Sequence, residues 1–376
     1  MGRVDHILNN RGIALLVTLA FILVLMVAAI ELSGYVSNLA DGQKRVADRL
    51  QAQEVAKSGI ELAMFILVRD AEQNDLDSIQ EMWADSDIMA SAVELLGFDR
   101  SMAHLDLQIS DELGKIQINA LLAEFPGADV NNDQVALWER FLNLVILSDK
   151  SLDIREPAEI INSLKDWLDF GDDDAISGLS GAESDYYQSL DPPVVCSNAP
   201  LNSVEELFMI KGISESITSI PAKLTDISTK ESYLQLDPST IFTVYGIDSI
   251  KKEGKKFTYS GRININTADV ATLAAMLPIG MEDQASELAS FRLDKSQDGQ
   301  VFVNSLDKGW YKKVISLSPK DTQTFEQIVR YSSDLFRVDA TAQFNGVDGS
   351  LIAFIKREKD AKTGRWGCKI IQIRQK

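Results

Sequence analysis

An uncharged apolar stretch near the N-terminus constrains this sequence more than any other feature. Residues 13–30 (IALLVTLAFILVLMVAAI) contain no charged side chain. As a helix at 1.5 Å per residue they would span about 27 Å, close to the thickness of a bilayer's hydrocarbon core. The helical pattern continues without a proline to about Arg69, with apolar residues mostly three, four or seven positions apart. The sequence therefore predicts one rod from Gly12 to about Arg69, roughly 85 Å long, apolar at first and amphipathic afterwards.

The residues of this segment leave three interpretations open. It could be a secretory signal peptide, cleaved after the small residues at 27–29, or an uncleaved signal anchor. It could also follow a prepilin-type leader that is cut between Gly12 and Ile13, so that the apolar helix stays on the mature protein with Ile13 N-methylated. The basic residues Arg3 and Arg11 precede the stretch, as the positive-inside bias requires. The uninterrupted helical pattern favours the prepilin interpretation, because a processed secretory protein usually begins with a loop.

The fifth position of such a mature chain departs from the pattern of major pilins. Major pilins carry a glutamate there, thought to pair with the N-terminal amine of a neighbour, whereas this sequence has Val17. A carboxylate at membrane depth costs about 2.5–3.5 kcal/mol unless it is paired. A subunit without it leaves the bilayer more easily but cannot make that pairing, which fits a terminal subunit better than a repeated one.

Charge and composition exclude several classes of function. The 376 residues carry a net charge of −19. Residues 70–185 alone hold 27 acidic and 6 basic side chains, or 6 − 27 = −21, so this middle region is unsuited to a phosphate backbone. Only His6 and His104 are present, and no phosphate loop, dinucleotide fingerprint or nucleophile elbow occurs. We therefore expect that the chain is not an enzyme. The cysteines Cys196 and Cys368 could form a disulfide or remain as free buried thiols.

The pattern along the chain predicts two interleaved parts. Residues 105–109 and 115–119 alternate apolar and polar side chains on either side of a short turn. This pattern predicts a β-hairpin. From 120 to about 333 the pattern is mostly helical, with proline and glycine between the segments. Three alternating runs at the end, joined by Asn345-Gly346 and by the turn at 362–364, predict a β-meander. We expect a helical domain inserted between the first part and these last strands.

The acidic segment 166–187 is the best chemical candidate in the sequence. Its seven carboxylates lie around glycines with no basic residue among them, and hard cations such as Ca²⁺ take six to eight oxygen ligands. The carboxylates are Asp166, Asp169, Asp172, Asp173, Asp174, Glu183 and Asp185. A solvated acidic turn is the alternative. A second stretch, 129–140, begins like an EF-hand, but Gln134 replaces the turn glycine and Arg140 the bidentate glutamate, so helix capping is favoured there.

Residues 261–292 resemble the start of a DNA-binding helix-hairpin-helix unit. They contain Asn-x-Asn-Thr-Ala, a helix expected to be capped by Asn266 or Thr267, a Leu-Pro turn, and a second helix ending in Arg292. The hairpin, however, carries Glu282 and Asp283 where a DNA-binding version places basic residues. Residues 201–214 hold a similar turn. We favour a helical packing unit over DNA binding and expect no nucleic acid partner.

Several of these blocks resemble one family along almost the whole chain, the type II secretion minor pseudopilin K. They are RGIALLVTLAFILVLM without the glutamate, SDELGKIQINALL, DWLDFGDDDAISGLSGAESDYY, NAPLNSVEELFMIKGIS and GRININTADVATLAAMLP, in the family's order. The resemblance implies an α+β, pilin-like fold: a long N-terminal helix packed on a small antiparallel sheet, with a large all-α domain inserted between its strands. It also implies calcium in the acidic loop, with Asp169, Asp172, Asp173, Asp174, Glu183 and Asp185 as candidate ligands.

These observations predict the following organisation. Residues 1–12 are a leader peptide, 13–32 the membrane helix, 33–119 the first part of the pilin-like domain, 120–333 the inserted helical domain and 334–376 the C-terminal strands. The resemblance implies a single-pass inner-membrane protein with a periplasmic body, located at the pseudopilus tip and initiating its assembly. Implied partners are minor pseudopilins I and J, the prepilin peptidase and the inner-membrane secretion platform, with exoprotein or secretin contact also open. The alternatives are a membrane-anchored, competence-type DNA-binding protein of the periplasm and, less well supported, a secreted acidic hydrolase.

Overall fold

One long helix organises the molecule. The computed structural model describes residues 11–148, 156–171, 177, 180–224, 233–251, 256–299 and 301–376. Helix α1 (Arg11–Ala71) has 61 residues without a break, which confirms the predicted rod. Its first half is exposed, whereas in its second half Val55, Ala56, Ile60 and Leu67 are among the residues that form a buried stripe. This spacing of three and four residues places one face of α1 against the rest of the protein.

The remaining elements are short. The other helices are α2 (Ser86–Glu94), α3 (Asn132–Ser148), α4 (Pro157–Leu168), α5 (Ser184–Gln188), α6 (Pro238–Ile241), α7 (Val270–Met276), α8 (Gln284–Leu293) and α9 (Pro319–Ile328). The strands are β1 (Ala103–Asp111), β2 (Ile116–Gln117), β3 (Ser219–Pro221), β4 (Tyr233–Gln235), β5 (Phe242–Thr243), β6 (Ile247–Lys251), β7 (Lys256–Tyr259), β8 (Ile263–Asn264), β9 (Val329–Arg330), β10 (Leu335–Phe344), β11 (Val347–Asp348), β12 (Leu351–Lys359) and β13 (Trp366–Gln375).

The main sheet is antiparallel and joins the beginning of the chain to its end. Its strand order is β1-β10-β12-β13, with β11 paired to the end of β10. The buried stripe of α1 packs on one face of this sheet, where Leu107, Val338 and Ile355 belong to the same apolar cluster as Ile60 and Leu67. We call α1's second half, α2 and this sheet the sheet domain. The predicted C-terminal meander is confirmed by the β10-β12-β13 pairing.

The hairpin predicted for residues 105–119 is wrong. Strand β1 does form, with alternating burial, but it pairs with β10. Residues Ile116 and Gln117 instead form β2, which runs parallel to β5 more than a hundred residues later. A buried 3-10 turn at Glu112–Gly114 separates the two strands and directs the chain away from the sheet. Alternation predicted strands here, but the partner of each strand is set by distant residues.

A second apolar core extends from Ile116 to Val329 and belongs to the helical domain. Its centre is aromatic: Trp138 stacks on Phe242 at 5.3 Å, and Phe141 meets the same ring edge to face. In the described residues this domain also contains four short two-stranded ladders, β2-β5, β3-β4, β6-β7 and β8-β9, which the sequence pattern did not predict. We use the name helical domain for residues 116–330.

Candidate functional site

The exposed first half of α1 matches the requirements of a membrane anchor. It is the one helix among the described residues that is long and apolar enough to cross a membrane. Its large apolar side chains from Ile13 to Leu32 are exposed to the surroundings of the chain, including Val17 at the expected fifth mature position. Burying such a surface in hydrocarbon is favourable, and a helix satisfies its own backbone hydrogen bonds there. The cleavage site between Gly12 and Ile13 lies in the first turn of α1 and stays a prediction.

The acidic loop, which we define as residues 169–183, lies between α4 and α5. Asp169 follows the last residue of α4, and its backbone N–H caps that helix by donating to the Lys165 carbonyl at 2.8 Å. The Asp169 carboxylate is buried and accepts a hydrogen bond from Lys165 Nζ at 2.8 Å. At the other end, Glu183 is the buried N-cap residue of α5, and Asp185 lies exposed in its first turn. The candidate ligands Asp172, Asp173 and Asp174 lie outside the described residues.

Asp166 organises the ends of the acidic loop, although sequence reasoning did not place it among the candidate ligands. Its side chain is fully buried and accepts hydrogen bonds from the backbone N–H of Ala182 at 2.8 Å and of Ser177 at 3.2 Å. Lys165 adds a hydrogen bond to the Ser177 hydroxyl at 2.7 Å. A Cβ at Gly181 would lie 2.0 Å from Asp166 Oδ2, so only glycine fits there. The sequence offered no signal for this burial, because Asn162 and Ser163, the helix neighbours of Asp166 four and three positions earlier, are polar.

The EF-hand-like stretch at 129–140 contains the start of helix α3. Asn131 Oδ1 accepts a hydrogen bond from the backbone N–H of Asp133 at 3.1 Å, in front of α3. Arg140, at the position of the bidentate glutamate, donates to the Ala275 carbonyl of α7 at 2.9 Å. Gln134 is buried and donates to the Gly261 carbonyl at 2.8 Å. The Asn131 contact agrees with the capping interpretation, whereas Gln134 and Arg140 join α3 to its neighbours.

The Asn-x-Asn-Thr-Ala block forms part of the contact between the two domains. Asn264 donates to Asp111 Oδ2 at 2.9 Å, to the Asp77 carbonyl at 3.0 Å and to the Ser333 hydroxyl at 3.1 Å. Thr267 donates to the same oxygen of Asp111 at 2.6 Å. Asp111 is buried, and burial raises the pKa of its carboxyl group. This network fastens β8 of the helical domain to the end of β1 and to the segment after α1.

The predicted cap of the first helix in this block is wrong. Asp269, rather than Asn266 or Thr267, caps α7 by accepting from the Thr272 N–H at 2.5 Å. Asn266 instead accepts a hydrogen bond from Trp310 Nε1 at 2.7 Å. Arg292, which ends the unit, is buried and donates to the carbonyls of Ile265 and Ala268, both at 2.8 Å. The polar groups of this unit, which resembles the start of a DNA-binding module, thus form hydrogen bonds within the protein.

Arg357 of β12 supports the domain contact from the side of the sheet domain, through buried ion pairs with Asp70 and Asp77. Its guanidinium lies 2.8 Å from Asp70 and 2.5 Å from Asp77, and it also donates to the Ser333 carbonyl at 2.9 Å. Burial raises the pKa of Asp77 to about 6. One carboxylate oxygen from each of Asp70, Asp77 and Glu81 lies within 4.8 Å of the other two. We call the set Asp77, Asp111, Asn264, Ser333 and Arg357 the domain joint.

Glu81 lies beside the domain joint, close to the carboxylates of Asp70 and Asp77. Its Oε2 accepts hydrogen bonds from the Ser78 N–H at 3.1 Å and from Trp83 Nε1 at 2.8 Å. Burial, followed by repulsion from Asp70, raises its pKa to about 7. Arg357 already occupies the space between Asp70 and Asp77, so these acids act as partners for a guanidinium rather than as a metal cluster.

Of the two states left open for Cys196 and Cys368, a disulfide or two thiols, the structure contains two thiols. Cys196 is buried in the helical domain with its Sγ 3.8 Å from the Asp166 carbonyl, whereas Cys368 lies on β13 with its Sγ 3.7 Å from the Met64 carbonyl of α1. They belong to different apolar clusters, and burial raises the pKa of the Cys368 thiol to about 11. Sequence separation alone could not assign them to separate domains.

Comparison with known proteins gives consistent matches. A family model described as type II secretion system protein K matches residues 114–220, the first half of the helical domain. The chain is 27% identical over 215 residues to the putative type II secretion system protein K of Escherichia coli K12, covering 56% of this chain and 61% of that protein. It is 26% identical over 208 residues to the type II secretion system protein K of Aeromonas hydrophila, covering 54% and 59%. The aligned part thus spans about three fifths of the length of these curated relatives.

A solved structure extends the comparison to the fold of nearly the whole chain. A chain in the crystal structure of the GspK-GspI-GspJ complex from the enterotoxigenic Escherichia coli type 2 secretion system matches with a TM-score of 0.57 at 14% identity. The match covers 90% of this chain and 99% of that one. The long helix, the antiparallel sheet and the interposed helical domain are therefore a known arrangement, consistent with a pilin-like fold. Together these findings confirm the resemblance of this chain to the type II secretion system protein K family.

Proposed function

We propose that this chain is a minor pseudopilin of a type II secretion system and serves in protein export. The observation that carries the proposal is α1, whose exposed apolar first half continues without a break into a half that packs on the sheet. A helix of this kind can lie in the membrane before assembly and pack among like helices afterwards. Because no catalytic constellation was found in the sequence, we assign the protein a structural role.

The proposed position is the tip of the pseudopilus, where the subunit initiates assembly. The domain joint fixes the helical domain at the end of α1 opposite the apolar half, since Asp77 follows α1 by only a few residues. Val17 offers no carboxylate for a subunit ahead of it. A subunit with a large extra domain and no such carboxylate suits the head of a filament. We propose minor pseudopilins I and J as partners, because the structural match is to a chain in a crystal structure of the GspK-GspI-GspJ complex.

Processing at the N-terminus tests this function directly. The full chain is expressed with its prepilin peptidase, extracted from inner membranes, and its N-terminus is determined by intact mass. We expect a mature chain that begins at N-methylated Ile13 and retains α1. A start near Ile30, or a full-length chain with residues 1–12 still present, would overturn the proposal. Affinity purification of the mature chain with co-expressed minor pseudopilins I and J tests the tip complex, and failure to recover either protein contradicts that part.

We further propose that the acidic loop binds calcium. The candidate ligands offer only carboxylate oxygens, which suits a hard cation, and Asp166 with Gly181 holds the ends of the loop in place. Bound calcium would offset part of the negative charge concentrated between Asp169 and Asp185. We therefore expect calcium to stabilise the helical domain without a role in chemistry.

Thermal unfolding of the detergent-solubilised chain tests calcium binding. Chelation with EDTA should lower the melting temperature, and Asp172→Ala combined with Glu183→Ala should abolish the difference between calcium and EDTA. The matched control combines Glu139→Ala with Glu287→Ala, two exposed carboxylates on α3 and α8 of the same domain. This control should keep the full calcium effect. Identical melting curves of the unmodified chain with calcium and with EDTA would remove the metal from the proposal.

A further inference from the structure

Strand β13 is an open edge of the main sheet. The other edge strand, β1, has regularly alternating burial and is contacted by α2. Residues 369–373 of β13, by contrast, all have exposed side chains, although the Tyr245 hydroxyl of the helical domain donates to Gln372 Oε1. With ten residues at about 3.4 Å each, the edge is roughly 34 Å long. Open edges of this length are templates for pairing with another strand.

The ladder geometry identifies backbone groups that point away from the sheet. The Lys376 N–H donates to the Ser350 carbonyl of the β12 side at 3.2 Å. Because residues of an antiparallel pair alternate between inward and outward backbone groups, Ile373 and Gln375 direct their N–H and C=O groups outward. In the part of the chain that the structure describes, no backbone hydrogen bond reaches these outward groups. They are available to an added strand.

The charge of this edge differs from that of the rest of the chain. Residues 361–376 contain five basic and no acidic side chains, in a protein with a net charge of −19. Lys369 lies directly opposite Lys356 of β12, a like-charge pair that disfavours the sheet. Lys356 lies 3.7 Å from Asp334, whereas Lys369 has no ion-pair partner among the described residues. A carboxylate of another polypeptide, paired with Lys369, would reduce the repulsion between Lys369 and Lys356.

A cavity opens beside β13 between the sheet and the helical domain. Its volume is about 470 Å³. Lys369 and Ile371 line it from the sheet, and Tyr245 and Ile247 line it from the helical domain. Ile371 and Ile247 are 47% and 42% exposed. The charged side chains in the lining are basic at Arg330, Lys356 and Lys369 and acidic at Asp248 and Asp334, so the cavity presents apolar surface beside an excess of basic groups.

We propose that β13 and this cavity form a strand-addition site for an extended acidic segment of another polypeptide. The backbone of that segment would pair with the outward groups of Ile373 and Gln375. Alternate side chains of an added strand point to the same face, so every second residue would be directed towards the cavity and Lys369. The site is independent of the pseudopilin assignment, since it uses neither the apolar half of α1 nor the acidic loop. Lys369 and Arg374 could alternatively serve only to protect the edge from pairing, and the experiment separates the two roles.

The test measures binding of a labelled peptide to the full chain in detergent micelles. The probe is a peptide of about ten alternating valine and glutamate residues, matched to the length of β13. One control peptide has lysine in place of glutamate, and a second has N-methyl groups on every other amide along one edge. We expect the probe to bind, the lysine peptide to bind at least about tenfold more weakly, and the N-methylated peptide not to bind.

Two pairs of variants locate the site. Lys369→Glu should weaken binding of the probe at least about tenfold, whereas Lys362→Glu, in the turn before β13, should change it little. Ile373→Pro removes one outward N–H and should weaken binding, whereas Ile373→Val keeps it and should not. Hydrogen exchange of the fragment containing β13 should slow when the probe is present. Equal binding of the probe and its N-methylated form, unchanged binding by Lys369→Glu, or no binding at about millimolar probe would overturn the proposal.

Discussion

Replacing Glu81 with glutamine removes one charge from the crowded acids beside the domain joint while leaving both known hydrogen bonds possible. Both donors, the Ser78 N–H and Trp83 Nε1, bond to the same oxygen, Oε2. A glutamine oxygen can take that place, and its amide group can then donate towards the carboxylates of Asp70 and Asp77. We expect Glu81→Gln to stabilise the protein at alkaline pH.

The expected size and pH range follow from the pKa of Glu81. A carboxyl group raised from 4.5 to about 7 in the folded protein binds a proton there that the unfolded chain has lost. Its contribution to stability is therefore fully present below about pH 4.5 and is lost as the pH rises through 7. The shift corresponds to about 3 kcal/mol, and because solvent reaches part of Glu81 we expect about 1–2 kcal/mol at pH 8.

Denaturant unfolding followed by tryptophan fluorescence measures the effect at pH 5.5 and pH 8. The unmodified chain should lose stability between these values, and Glu81→Gln should gain about 1–2 kcal/mol at pH 8 but only about half of that at pH 5.5, where the folded carboxyl group still holds its proton. Glu72→Gln is the matched control, because Glu72 is an exposed carboxylate in the same part of the chain, paired with Arg69. It should change stability by less than about 0.5 kcal/mol. A Glu81→Gln variant that is less stable at pH 8, or unaltered at both values, would refute the reasoning.

Three further substitutions test the packing of the loop and the domain joint. Gly181→Ala should cost about 2 kcal/mol or more, because the added methyl group meets Asp166 at 2.0 Å, whereas Gly34→Ala, with open space around it, should not destabilise α1 in thermal unfolding. Asn264→Ala leaves the buried carboxylate of Asp111 with one donor fewer and should cost about 2–3 kcal/mol in denaturant unfolding. Arg357→Ala leaves Asp77 buried without its cation and should cost about 3–5 kcal/mol, together with faster protease cleavage between the two domains.

Local patterns predicted the elements of this protein well and their partners poorly. The period of the apolar residues identified α1, and alternation identified β10, β12 and β13. The same alternation at 115–119 predicted a hairpin, yet its apolar residues are buried in the helical domain. Periodicity shows which face of an element is buried, whereas the choice of partner depends on residues far away in the chain.

The candidate site shows the same division at the level of single residues. The sequence marked the acidic segment as a cation site and counted Asp166 among its carboxylates, but did not reveal that the Asp166 side chain accepts hydrogen bonds from the backbone of Ser177 and Ala182. Likewise the Asn-x-Asn-Thr-Ala block was recognised as a packing unit, but its contact with Asp111 joins residues 153 positions apart. Such contacts leave no local pattern, since each side chain is an ordinary polar residue in its own segment.

The sequence by itself determined the long helix, its apolar first half, the C-terminal meander and the acidic middle, because these depend on spacing, composition and charge within a single segment. Only the tertiary structure decided that Arg357 would meet Asp77, 280 positions earlier, and that β13 would be left as an exposed edge. Burying an arginine requires acidic partners held at hydrogen-bonding distance, and here the packing of β12 on α1 and on the segment after it brings Asp70 and Asp77 to Arg357. An edge exists only once the order of the strands is fixed, and that order is set by the packing of α1 and the helical domain on the sheet.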